Sequence, residues 1–240
     1  DPLPFVPGSE FAGTVCAVAS DVTKYSVGDR VGGLVRNGAM AQYIAVPSGA
    51  LFHLPNGMSL SMAAAFSANY MTAAYGLIER ADLQEEEHLL VLGAAGSVGV
   101  AHIQLGKLLG AHIIAAASTE EKRAYALEAG ADACVDYTQP DWRDRIKELT
   151  NGRGVDVIVD PVGGELGVTA FRSIAWRGRH LVIGFASGTI PALPFNLALL
   201  KGGALMGVDL AQVGPREPQT IDRLMSRLYG WLKLEASEAR

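Results

Sequence analysis

Leu89-Leu90-Val91-Leu92-Gly93-Ala94-Ala95-Gly96-Ser97-Val98-Gly99 is the stretch on which the reading of the fold turns. Leu89 to Leu92 read as a short buried strand, and beyond the glycines Val98, Ala101, Leu105 and Leu108 recur at helical spacing until Gly110 offers a C-terminal cap. Glycines at a strand-to-helix junction let the backbone approach a pyrophosphate. Its charge then meets the unpaired N–H groups and positive dipole end of the helix. The spacing is G-x-x-G-x-x-G, with Ala94 standing where the dinucleotide fingerprint has its first glycine. The turn by itself therefore also admits a plainer reading, in which glycines merely let the helix pack close on the strand. The strand and helix patterns that alternate from here to about residue 210 favour the nucleotide site.

The length of 240 residues allows one or two domains, and 49% hydrophobic residues supply a sizeable core. A net charge of −5, without a basic run or aromatic-basic interleaving, argues against nucleic acid as the main partner. Two uncharged stretches, Leu89 to Gly106 and Leu181 to Leu200, are interrupted by glycines, prolines and polar residues, which argues against membrane spans. Cys16 and Cys134 lie in apolar, strand-like runs and read as buried free thiols of a reducing compartment, here the cytoplasm. The chain opens on Asp1, so its beginning says nothing about targeting.

Residues 1 to 66 are β-rich and irregular, with strand-like runs at Gly13 to Val18 and Ala41 to Val46, and form a separate β module. Helical patterning begins at Ser59 and runs to Ala81, with the domain boundary inside it. After the glycine turn comes strand His112 to Ala117, then Ser118-Thr119-Glu120-Glu121, a capping box opening a helix that stops at Gly130. An NAD site places a carboxylate at the end of that second strand to hold the ribose hydroxyls. Here Ser118 stands at the strand end with Lys122 and Arg123 close behind, while Glu120 and Glu121 suit the helix dipole. This pattern fits a 2′-phosphate, hence NADPH; the alternative is that Lys122 is simply solvated. Further on, strand Val155 to Val159 ends in the loop Asp160-Pro161-Val162-Gly163-Gly164. Helix Leu166 to Ala175, strand His180 to Gly184, strand Ala204 to Val208 and a helix from about Pro218 to Leu234 complete the pattern. The expected fold class is α/β, with a doubly wound parallel sheet of Rossmann type from Leu89 onward.

Three stretches together resemble one family: Val6-Pro7-Gly8-Ser9-Glu10-Phe11-Ala12-Gly13, the turn Gly93 to Gly99 continuing through Gln104-Leu105-Gly106-Lys107, and Gly184-Phe185-Ala186-Ser187-Gly188. They look like the zinc-independent quinone oxidoreductase branch of the medium-chain dehydrogenase/reductase superfamily, the branch that includes zeta-crystallin. The resemblance implies a partial GroES-like substrate domain at 1–66, a Rossmann NADP-binding domain at 67–212, and a helix at 213–240 returning toward the substrate domain. It also implies a homodimer, and further chain before Asp1 and after Arg240. Zinc-dependent relatives carry a G-H-E motif and a four-cysteine lobe. This chain has Gly8-Ser9-Glu10 and two distant cysteines, so no metal ligands are assigned.

Carried over position by position, the resemblance puts Thr72 against the nicotinamide. It puts Ala95, Gly96, Ser97, Val98 and Gly99 at the pyrophosphate. Ser118, Lys122 and Tyr137 fall at the adenosine 2′-phosphate, and Val162, Gly163, Phe185 and Ala186 at the nicotinamide ribose and carboxamide. Two plainer roles stand beside these: a hydroxyl bonded to its own helix for Thr72, and strand-end packing for Tyr137. No catalytic acid is assigned. The expected activity is NADPH-dependent hydride transfer to a quinone or similar conjugated carbonyl compound. The alternatives are an enone or enoyl-thioester reductase, and an NADPH-binding structural or RNA-binding protein with little turnover. Lastly, Ile190 to Leu200 is too apolar for a free sheet edge, and its prolines bar it from a central strand, which points to a subunit contact; the alternative is that further chain covers the patch within one subunit.

Overall fold

The computed structural model describes residues 3–238, so Asp1 and Arg240, where the resemblance expects chain to continue, lie outside the described residues. The chain divides into two compact units. One runs up to Asn69 and takes in the chain again from Tyr229; the other is Tyr70–Leu228.

The first unit carries β1 (Glu10–Thr14), β2 (Arg30–Leu34) and β3 (Leu51–His53) in one antiparallel sheet of order β1-β2-β3. Gly28, at φ 98°, turns the chain into β2, and the Asp29 carboxylate closes that turn by accepting from the Ser26 amide at 2.8 Å. Helix α1 (Leu60–Ala74) begins in this unit, where the Ser59 hydroxyl accepts from the Met62 amide. The Glu10 carboxylate reaches across to accept the Ala68 amide of α1 at 2.7 Å, and its half-buried position raises its pKa despite that bond. Two expectations need correcting here. Ala41 to Val46 forms no strand: the Ala41 amide bonds back to the Ala39 carbonyl in a tight bend, and the segment pairs with no strand of the sheet. Cys16 is exposed, not buried: β1 stops at Thr14, and the chain beyond it runs along the surface.

The second unit is one parallel sheet with helices between its strands. In chain order it comprises β4 (His88–Leu92), α2 (Ser97–Leu108), β5 (His112–Ala116), α3 (Glu120–Glu128), β6 (Ala133–Val135), α4 (Trp142–Leu149) and β7 (Val155–Asp160). There follow α5 (Gly164–Phe171), β8 (Ile174–Val182), α6 (Phe195–Lys201), β9 (Ala204–Gly207), α7 (Leu210–Arg216) and the start of α8 (Pro218–Glu238), which runs on past Leu228 into the part of the chain counted with the first unit. The strand order is β6-β5-β4-β7-β8-β9, with every neighbouring pair parallel. Two βαβαβ halves thus run outward in opposite directions from β4 and β7, the doubly wound arrangement the alternation predicted. Covered on both faces, β4 and β7 need no polar alternation. Leu89 to Leu92 are wholly buried, as is every residue of β7.

The strand β8 starts earlier than the sequence pattern indicates. The helix expected to reach Ala175 ends at Phe171, and Ile174 already pairs with Val155. An irregularity in the β7–β8 register, with Arg177 at φ 62°, absorbs the extra residues before His180 comes opposite Ile158. Helix α3 is also capped one residue later than the proposed box: Thr119 Oγ1, not Ser118, accepts from the Lys122 amide. Short helices α6 and α7 were not legible in the sequence.

Candidate dinucleotide site

Doubly wound sheets bind ligands where the strand order reverses, beyond the carboxyl ends of the strands. Here that point lies between β4 and β7. Gly93 leaves β4 at φ 58°, and a Cβ there would come within 3.0 Å of Val162 Cγ2, so the turn after β4 and the loop after β7 are packed together. A Cβ on Gly99 would sit 2.6 Å from the Gly93 carbonyl oxygen and 2.8 Å from Ala94 Cα. Only glycine lets α2 start so close beneath the turn. Gly96 is the N-cap of α2 and supplies no side-chain cap; Gly96 and Ser97 are exposed, Ala95 and Val98 half-buried. The first amides of a twelve-residue helix thus lack an internal acceptor, the condition under which an anion is held.

The positions that the sequence assigns to the adenosine end are organised by hydrogen bonds that prolong the sheet. The Ala94 amide reaches the Ala116 carbonyl, and the Ala117 amide reaches the Val135 carbonyl at 3.2 Å. Continuing that register brings Ser118 and Tyr137 to adjacent strand ends. Arg123 fixes the arrangement by donating to the Ala117 carbonyl at 3.2 Å and pairing with Asp136 at 3.0 Å. The Thr138 hydroxyl and amide hold the Asp136 carboxyl below its usual range, helped by Arg123. The Asp136 carboxylate, just before Tyr137, is therefore already engaged. Among the described residues, neither the Ser118 hydroxyl nor the exposed Lys122 ammonium has a hydrogen-bond or ion-pair partner. Tyr137 packs its ring against the core. The cap held by Thr119 is what leaves Ser118 unengaged.

The two loops that the sequence assigns to the nicotinamide end are stitched together. The Ala186 amide donates to the Pro161 carbonyl at 3.1 Å, Ser187 to Val162 at 3.0 Å, and Gly164 to Thr189 at 3.0 Å. Gly163, at φ 69°, lies so close to the Phe185 ring that a Cβ would stand 2.8 Å from Cδ1. Val162, Gly163, Phe185 and Ala186 are thereby brought together. Thr72 sits half-buried near the end of α1, where the helix widens into a π-helical turn, Tyr75–Arg80. π-Helical turns recur at functional positions.

Three pairings escaped sequence reasoning. Asp160 Oδ1 accepts the amides of Val162 and Gly163 at 2.9 and 2.7 Å, while its Oδ2 meets His180 Nε2 at 3.0 Å. Arg123 pairs with Asp136, and His102 is wholly buried in α2 with Nδ1 donating to the Val98 carbonyl at 2.7 Å.

The comparisons with known proteins fit this geometry. The profile of the zinc-binding dehydrogenase family matches residues 97–227, and that of the alcohol dehydrogenase GroES-like domain matches residues 1–56. The chain belongs to the medium-chain dehydrogenase/reductase superfamily, in its quinone oxidoreductase branch. It is 39% identical over 233 residues to the quinone oxidoreductase-like protein 2 homolog of Nematostella vectensis, covering 96% of this chain and 64% of that protein. The chain thus spans somewhat under two thirds of that relative. Among solved structures, the Escherichia coli quinone oxidoreductase complexed with NADPH superposes with a TM-score of 0.86 at 28% identity, covering 95% of this chain and 70% of that one. The CurK enoyl reductase superposes at 0.87 and 27%, covering 96% and 69%. Residues 1–56 are thus the GroES-like module expected at the N-terminus.

Proposed function

We propose that this branch member is an NADPH-dependent oxidoreductase that reduces a quinone or a similar conjugated carbonyl compound. The observation that carries the cofactor choice is the adenosine end: a serine and an unpaired lysine beside a carboxylate already bound by Arg123. NADPH supplies the hydride when bound. The chain's own residues bind and orient it: the amides at the start of α2 take the pyrophosphate, Ser118 and Lys122 take the 2′-phosphate, and the joined loops at Val162–Gly163 and Phe185–Ala186 take the nicotinamide end. Thr72 lies on the nicotinamide side of the assignment. A carboxylate at the end of β5 would favour ribose hydroxyls instead, and none stands there.

Lys122→Ala tests this directly. The dissociation constant for NADPH is expected to rise roughly tenfold to a hundredfold, the scale of a lost charge-assisted hydrogen bond, while that for NADH stays within about twofold. Equal losses for both cofactors would refute the assignment of Lys122.

Zinc independence belongs to the same reading. Ser9 stands where zinc-dependent relatives have histidine, and among the described residues no cluster of three His, Cys, Asp or Glu side chains is arranged to hold a metal. The likeness to an enoyl reductase supports enoyl thioesters as the second substrate class, since reduction of a conjugated double bond beside a carbonyl uses the same cofactor geometry. Among the described residues no helix is long and apolar enough to cross a membrane.

A homodimer is the expected assembly. Strand β9 ends the sheet with an open hydrogen-bonding edge, and Phe195, Leu199 and Leu200 of α6 with Leu205 of β9 are 90%, 79%, 69% and 54% exposed. That apolar area beside an open edge suits a two-fold copy. Sedimentation of the full-length protein at micromolar concentration should show a dimer that Leu199→Asp dissociates. A clean wild-type monomer would rule it out.

A further inference from the structure

Asp160, the last residue of β7, anchors both loops of the nicotinamide assignment. Its side chain serves the first loop, since Oδ1 accepts the amides of Val162 and Gly163 at 2.9 and 2.7 Å. Its main chain serves the second: the carbonyl accepts the amides of Ile183 and Gly184 at 3.0 and 3.4 Å, just before Phe185 and Ala186. One residue thus fixes the approach to all four assigned positions.

The side chain is itself held from two sides. On the neighbouring strand, two residues before the Val182 that lies opposite Asp160, His180 donates from Nε2 to Oδ2 at 3.0 Å. Both side chains are buried, at 3% exposure for Asp160 and 4% for His180, and the His180 ring stacks on Phe171 of α5 with centroids 5.8 Å apart. Helix α5 closes the other side: a Cβ on Gly167 would overlap Oδ2, so glycine there leaves the carboxylate its place. With Oδ2 fixed, Oδ1 stays aimed at the loop. Replacing a buried charged pair by apolar residues of similar volume is often neutral for stability, so the fold alone does not call for this one. What the pair supplies, and apolar residues would not, is direction. It ties down two successive amides and holds Gly163 at φ 69°. Hydride transfer needs that precision, because a misplacement of about 1 Å costs on the order of a hundredfold in rate.

We propose that Asp160 and His180 form a positioning pair, which sets the two nicotinamide loops in the geometry for hydride transfer and plays no part at the adenosine end. This rests on the cofactor assignment made above, and the experiment separates the two.

Two measurements on the full-length protein are paired: steady-state turnover of NADPH with 1,4-benzoquinone, and calorimetric titration with adenosine 2′,5′-bisphosphate, which carries the adenosine end alone. His180→Leu removes the donor to Oδ2 and keeps most of the volume. Its kcat is expected to fall about thirtyfold to a hundredfold, with KM for NADPH within about fivefold and the dissociation constant of the bisphosphate within about twofold of wild type. His180→Gln, whose amide nitrogen reaches the place of Nε2, should recover about tenfold or more of that loss. Gly167→Ala is the second variant. Its methyl meets the end of a side chain rather than backbone, so the Asp160 carboxylate turns aside and the same loss of kcat follows with both partners present. An unchanged kcat in either folded variant, a glutamine form no better than the leucine form, or bisphosphate binding weakened as much as turnover would overturn the proposal while leaving the cofactor assignment standing. A wild-type protein that binds neither NADPH nor the bisphosphate would overturn that assignment, and the role of the pair with it.

Discussion

Gly99→Ala is expected to abolish useful NADPH binding, raising the dissociation constant by about a hundredfold or more, and to lower stability by about 1–3 kcal/mol. The new methyl would meet the Gly93 carbonyl oxygen at 2.6 Å and the Ala94 Cα and carbonyl carbon at 2.8 and 2.9 Å. All three are backbone atoms, so no side-chain rotation relieves the clash. Either the turn opens or the start of α2 moves away from β4. Both outcomes displace the amides assigned to the pyrophosphate, and the loss of two charge-assisted hydrogen bonds is enough for the predicted change. Gly207→Ala is the control: nothing lies within 4 Å of its Cβ position, and it should bind NADPH as the wild type does. Titration of both variants decides the matter, and unimpaired binding by Gly99→Ala would mean that the pyrophosphate does not lie on this turn.

The second large effect concerns pH. Burial pushes the pKa of His102 down to about 4, partly offset by the bond to Val98, and its Nε2 has no partner beside Gly76. No charged group contributes to that shift. The unfolded chain takes up a proton at this histidine near pH 6.5 and the folded chain only near 4, so between those values the unfolded state binds more protons. Stability from this residue is complete above about pH 6.5 and falls as pH drops, by about 1.4 kcal/mol per unit and roughly 3 kcal/mol in total. His102→Leu removes the titration and the unpartnered nitrogen while keeping much of the volume. Urea unfolding from pH 7.5 to 4.5 should therefore show a gap between wild type and variant that shifts in favour of the leucine form as pH falls. A gap constant across that range would show that His102 is not held neutral by burial.

The parts of the fold that the sequence disclosed are those whose physics is local. Leu89 to Gly99 announces strand, turn and helix within eleven residues, because burial on both faces, glycine geometry and helical spacing are all written in neighbouring positions. The same holds for β7 and its Asp160–Gly164 loop, and for the absence of a carboxylate after β5. What stayed hidden depends on residues far apart in the chain. Asp160 and His180, Arg123 and Asp136, and Glu10 and the Ala68 amide are separated by 20, 13 and 58 residues, and no periodicity marks a pair of that kind. The early start of β8 was hidden for a related reason: pairing with Val155 overrides a helical pattern that Ile174 and Ala175 would continue. Ser118 was misread as a cap because Ser118 and Thr119 both have the chemistry for it; only the structure shows that Thr119 Oγ1 accepts from the Lys122 amide and takes the role.

The central claim, a metal-free NADPH oxidoreductase for conjugated carbonyl compounds, is tested most directly by turnover of the full-length protein. After dialysis against a strong chelator, oxidation of NADPH and of NADH is followed against quinones, enones and enoyl thioesters. Steady consumption is predicted with NADPH, at least tenfold faster than with NADH at equal low concentration, with a quinone as the best acceptor. Enoyl thioesters as the best acceptor would move the substrate assignment to the second class. No turnover with any acceptor, together with NADPH-displaceable RNA binding that weakens with salt, would contradict the enzymatic reading altogether.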